Sequence, residues 1–150
     1  MVQHWLFRIG DGKHFESSSK YNIWGINSQH STCKKFIREV KPGDGVWFVK
    51  GGNNGLLIGV AEFSKFQKRI IGPLITISKT NEELGWTEKS GNWDTELHYN
   101  NLKNIKSLKL FSEIKGPGNP RIYNDKCAID LPKEFNLIYK YSSIVDSFKI

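Results

Sequence analysis

The sequence predicts an α+β domain: a curved, mostly antiparallel sheet with helices packed outside it. Three observations predict this. First, Val46-Trp47-Phe48-Val49 and the run from Leu56 to Phe63 are rich in aromatic and β-branched residues, with Gly51-Gly52-Asn53-Asn54-Gly55 between them. Glycine and asparagine tolerate positive φ, so the pair reads as a hairpin. Second, Cys33, Phe36, Ile37 and Val40 fall at i, i+3, i+4 and i+7, the apolar stripe of a helix near 32–40. Third, Leu131, Phe135, Ile138 and Tyr139 make a similar stripe over 131–141. Short strands with a few flanking helices form a sheet that curls towards a small barrel.

The elements follow in chain order. His4 to Ile9 alternates Trp5, Phe7 and Ile9 with His4, Leu6 and Arg8, a strand period, and Gly10-Asp11-Gly12 ends it. A polar stretch to Lys20 leads to Tyr21-Asn22-Ile23-Trp24-Gly25. Ser31 or Thr32 is suited to cap the first helix, and Lys41-Pro42-Gly43-Asp44-Gly45 stops it. The Leu56–Phe63 run is apolar on both faces, which predicts a central, buried strand. Ile70 to Ile77 reads as a strand interrupted by Gly72-Pro73, and Thr80 to Asn92 as a long loop or short helix. Trp93 to Tyr99, Leu108 to Ile114 and Ile122 to Ile129 are further strands, the last after the rigid turn Gly116 to Pro120. Asp130 caps the second helix, and Pro132 fits its first turn, where a missing N–H costs nothing.

Composition bounds the function. A chain of 150 residues, 38% hydrophobic and 25% charged, reads as one globular domain spanning 1–150. No apolar run approaches the roughly 18–20 residues of a membrane span. Cys33 and Cys127 lie far apart, outside any CxxC or zinc-type spacing, and suit a reducing cytoplasm. The net charge of +7 favours a polyanionic partner.

The residues of known chemistries are missing. No GxSxG, HExxH, phosphate-binding or dinucleotide motif occurs, so no catalytic residue, metal ligand or cofactor is assigned. His4, His14, His30 and His98 show no metal spacing. Glu62, at the end of an apolar run, reads as a strand-end group reaching solvent more readily than as a base.

Binding chemistry is better represented. Lys20, Lys34, Lys35 and Arg38 crowd the first third of the chain, and Lys65 and Arg69 follow the hairpin. Such cations suit phosphates when they share a face. Trp5 and Trp47 lie in strands and read as core, whereas Trp24, Trp86 and Trp93 lie in polar or irregular surroundings. Indoles so placed can stack on a flat base.

Lys20-Tyr21-Asn22-Ile23-Trp24 resembles the segment that carries an aromatic-cage tryptophan in YTH domains. The order of strand, polar loop, tryptophan, amphipathic helix and hairpin is similar too. The opening His4-Trp5-Leu6-Phe7, the Lys41-Pro42-Gly43-Asp44 turn and the Gly59-Val60-Ala61-Glu62 return look still more like EVE-domain proteins. These are YTH relatives within the PUA-like superfamily, often small stand-alone archaeal and bacterial proteins. The resemblance covers nearly the whole chain and is strongest over residues 4–63.

It implies a PUA-like pseudobarrel that holds a base, plain or modified, on RNA or DNA. Trp24 would be the first wall of the pocket and Trp86 or Trp93 the second. Asn22 and Ser19 stand near the first wall, and Asp11 lies where YTH domains contact the base edge. Ile9-Gly10 stands where those domains carry Lys-Ser. Two other readings compete: a small hydrolase or transferase on an ASCH-type fold, with Glu62 beside Lys65, and a protein-interaction module built on exposed aromatics.

Overall fold

The computed structural model describes residues 2–10, 12–50, 56–68, 94–109, 120–123 and 129–141. Six strands form one mixed sheet: β1 (His4–Arg8), β2 (Ile23–Ile26), β3 (Gly45–Lys50), β4 (Leu56–Lys68), β5 (Thr95–Lys109) and β6 (Arg121–Ile122). Their order across the sheet is β2-β5-β4-β3-β1-β6. Every neighbouring pair is antiparallel except β1 and β3, which run parallel with Trp5 opposite Val46 and Phe7 opposite Phe48. Between them the chain forms α1 (Lys13–Ser18), crosses to the far edge as β2, and returns through α2 (Ser31–Glu39). The last helix, α3 (Leu131–Asn136), continues into a π-helical turn, Leu137–Tyr141.

The sheet is covered on both faces, which explains the nearly unbroken apolar character of β1 and β3. Alternation sends Trp5, Phe7, Val46 and Phe48 to one face, with Ala61, Phe63, Leu97 and Tyr99 beside them. It sends Leu6, Trp47, Val49, Leu57 and Val60 to the other, under Leu131 and Phe135 of α3. Trp5 and Trp47 are core residues, as their strand positions require.

α2 carries the stripe read from the sequence: Cys33 and Phe36 are buried, and Ile37 and Val40 pack beside them. Phe36 is fully enclosed and meets Trp5, Phe7, Phe63 and Phe66 edge-on at 5.0–5.8 Å between ring centres. Its N-cap is His30, without a side-chain bond, so neither Ser31 nor Thr32 caps it. Asp130 does cap α3, accepting from the Lys133 N–H at 3.2 Å.

The stretch before Lys20 is helical where the sequence reads as a polar loop. α1 is six residues long and has one buried apolar side chain, Phe15, too little for a helical period to show. β5 runs 15 residues through the polar Asn100-Asn101 pair, where two separate strands were expected. Its pairing with β4 shifts register at three points, and Asn101 takes a left-handed φ of 56°. Such bulges bend and twist a strand pair, which curls the sheet into an open half-barrel. Among the described residues the last strand is Arg121–Ile122 and Ile129 is not in a strand; 124–128, the middle of the expected Ile122–Ile129 strand, lie outside the described residues. Ile70 to Ile77 and Thr80 to Asn92 lie outside the described residues.

The Lys41–Gly45 turn ties the two ends of the sheet's centre together. The buried Asp44 carboxylate accepts from the Lys41 N–H at 2.9 Å and the Gln3 N–H at 3.1 Å. Gly43 has a φ of 91°, which disfavours a side chain. A Cβ on Gly45 would run into His4 Nδ1, where the Trp47 indole N–H donates at 3.0 Å.

Candidate functional site

Trp24 lies on β2, the edge strand that pairs only with β5 among the described residues. It stands opposite Leu97, half-buried, on the sheet face that α1 and α2 cover. Phe15 of α1 meets the indole in a T-shaped contact at 6.2 Å. Phe15 also lies 4.4 Å from Phe48, and Phe48 lies 5.2 Å from Tyr99. Four aromatic rings are thus linked in sequence: Trp24, Phe15, Phe48 and Tyr99.

Local chemistry positions this group. Gly10 and Gly12 both take positive φ, 61° and 88°, turning the chain from β1 into α1. α1 runs into a 3-10 turn at Ser19–Tyr21 that ends on Asn22, itself left-handed with a φ of 57°. Asparagine is among the few side-chain-bearing residues that accept this conformation readily. The Asn22 carbonyl accepts from the Tyr99 N–H at 3.2 Å, which locks the approach to Trp24 against β5.

The residues singled out in the sequence fall into three groups. Ser19, Lys20, Asn22 and Trp24 are contiguous in space, with Lys20 and Asn22 exposed. The Ser19 hydroxyl donates to the Glu16 carbonyl at 3.0 Å, closing the end of α1. Lys34, Lys35 and Arg38 share the exposed side of α2, and Lys65 is exposed on β4. α2 docks through Phe36, so these cations form a surface separate from the Phe15–Trp24 contact. Asp11, Arg69, Trp86 and Trp93 lie outside the described residues.

Sequence reasoning missed four residues at this end of the sheet. Phe15 is a lone apolar residue in a polar stretch, Phe48 and Tyr99 read as ordinary strand core, and Lys50 reads as one more surface lysine. The Lys50 stem passes 3.7 Å from where a Cβ on Gly12 would be, so its exposed amine lies by the Gly10–Gly12 turn. Its place at the end of β3, directly after the hairpin's apolar core, was the available signal.

On the opposite face of β5, Glu96 is fully buried and its carboxylate lies 2.9 Å from His98 Nε2. Glu62 is part-exposed within β4, not at its end, and accepts from Asn101 Nδ2 at 2.9 Å. The Tyr139 hydroxyl shares one proton between the carbonyls of Val60 and Asn101, at 3.1 and 2.8 Å. Among the described residues, no three His, Cys, Asp or Glu side chains gather as a metal site, and no helix is long and apolar enough to cross a membrane.

Comparison with solved structures places this architecture. The chain is similar to the YTH domain of the Zygosaccharomyces rouxii MRB1 protein, solved in complex with N6-methyladenosine RNA. The TM-score is 0.54 at 10% identity, over 89% of this chain and 86% of that one. The fold is therefore that of a YTH domain, an α+β pseudobarrel. No family model matches the sequence, and neither does any curated protein.

Proposed function

We propose that this chain binds single-stranded nucleic acid without catalysis, stacking one base, plain or modified, against Trp24. The observation that carries the reading is the position of Trp24. It is a half-buried indole on an edge strand, backed by Phe15, Phe48 and Tyr99, in a fold shared with a domain solved with a methylated RNA. The net charge of +7 supports a polyanionic ligand. Lys20 and Lys50 flank the aromatic group, and Lys34, Lys35, Arg38 and Lys65 offer further phosphate contacts. RNA is the ligand we favour, and within the YTH fold the EVE type fits the His4-Trp5-Leu6-Phe7 opening best. Two cysteines far apart in sequence, Cys33 and Cys127, suit a cytoplasmic setting.

Energetics favour an unpaired ligand. Flipping a base out of a duplex costs a few kcal/mol, while stacking returns roughly 1–3 kcal/mol per base. The test is anisotropy titration of labelled single-stranded RNA across a salt series. We expect log affinity to fall linearly with log salt. Absent binding at low salt would end this reading, and binding indifferent to salt would end its electrostatic part.

A further inference from the structure

We infer that Tyr99 reads the base, its hydroxyl donating a hydrogen bond to an acceptor on the edge of a base stacked against Trp24. This inference rests on the base-binding reading and assigns a group that discriminates within it. Tyr99 is 1% exposed, and its hydroxyl is buried without a hydrogen-bond partner. Buried hydroxyls nearly always have one, so an unpartnered hydroxyl in a native core needs an explanation.

Its location supplies one. Trp24 stands opposite Leu97, and Tyr99 is two residues further along the same face of β5. Trp24 and Tyr99 are therefore diagonal neighbours, which stand roughly 7–8 Å apart and within reach of aromatic side chains. The Tyr99 N–H is bonded to the Asn22 carbonyl, two residues before the indole. The Trp5 indole N–H is also buried without a partner, but it belongs to the ring cluster around Phe36 under α2. Tyr99 alone joins an unpartnered hydroxyl to the Trp24 end of the face among the described residues.

The phenol suits the task chemically. Burial raises its pKa far above the ordinary tyrosine value, so the proton stays in place at any physiological pH. It offers one donor to a ring nitrogen or carbonyl oxygen of the base. Phe15 lies between the Trp24 and Phe48 rings and is carried on the six-residue α1. For a base entering beside Trp24 to reach the buried hydroxyl, the Phe15 ring would have to move aside. A site that hydrogen-bonds its ligand in this way rejects bases that place no acceptor there.

The test compares wild type, Tyr99→Phe and Trp24→Ala against short single-stranded RNAs of A, C or U and one carrying N6-methyladenosine. Tyr99→Phe removes one oxygen and keeps the ring. We expect it to weaken binding of the preferred RNA about three- to tenfold and to narrow the preference among the four, with an unchanged or raised melting temperature. If Tyr99→Phe binds and discriminates like wild type while Trp24→Ala loses affinity, the inference is overturned and the base-binding reading stands. If wild type binds none of the four, the base-binding reading falls and takes the inference with it.

Discussion

Replacing Trp24 with alanine separates a binding role from a packing role, because the structure bounds both effects. A fully buried tryptophan changed to alanine costs about 3–5 kcal/mol. Trp24 is half-buried on an edge strand, with one face against Phe15 and the core. Scaling by burial gives about 1.5–2.5 kcal/mol. For a chain of this size that lowers the melting temperature by about 3–10 °C. A domain with about 5–15 kcal/mol of stability remains folded after such a loss. Any lost binding at room temperature therefore cannot come from unfolding. Stacking supplies roughly 1–3 kcal/mol per base, so affinity should fall about 5- to 150-fold. Thermal melts by circular dichroism and RNA titrations on the same samples read the two numbers side by side. Trp24→Phe, which keeps a ring, should recover most of the stability and part of the affinity. Unchanged affinity in Trp24→Ala, with a melting temperature lowered by more than this range, would refute the reasoning and return Trp24 to the core.

Two further outcomes test the surrounding fold. Phe36→Ala should cost about 3–5 kcal/mol, because four aromatic rings lose their common partner and α2 loses its anchor; a chemical-denaturation midpoint close to wild type would contradict the packing. His4 gives a pH dependence: burial, opposed by Asp44 and Asp130, lowers its pKa below 6.5, and its Nδ1 already accepts from Trp47. The unfolded chain then takes up the proton first, so stability holds above pH 6.5 and declines as pH falls from there towards the folded-state pKa. His4→Gln should flatten melting temperature against pH across that window, and an equally steep slope in the variant would assign the effect elsewhere.

The legible parts of this chain are those whose apolar pattern repeats. The β3–β4 pairing of the 45–63 hairpin, the Phe36 stripe of α2 and the Asp130 cap of α3 are each specified within a short local stretch of sequence, and each is present. The unread parts depend on partners distant in sequence. α1 has one apolar residue, and its helical state makes sense only once Phe15 meets Trp24 and Phe48 from β2 and β3. β5 passes through polar Asn100 and Asn101 because β4 supplies a bulged ladder there, a cross-strand fact that local pattern does not encode. Glu96 looks like any charged strand residue until its burial beside His98 is seen.

The candidate site divides along the same line. Trp24 and Asn22 could be picked out because a polar run beside an indole is a local signal. Tyr99 could not, since Trp24-to-Tyr99 adjacency arises from pairing β2 with a strand more than seventy residues away in sequence, opposite Leu97 and His98. Nor could the separation of cations: Lys20 and Lys34 are near neighbours in sequence, yet one flanks the aromatic group and the other lies on the outer side of α2. Net charge alone therefore overstates how many lysines can serve one bound base. If the α2 cations contact nucleic acid, they do so along a strand that extends beyond the stacked base, and a single nucleotide should bind with much weaker salt dependence than a longer single strand.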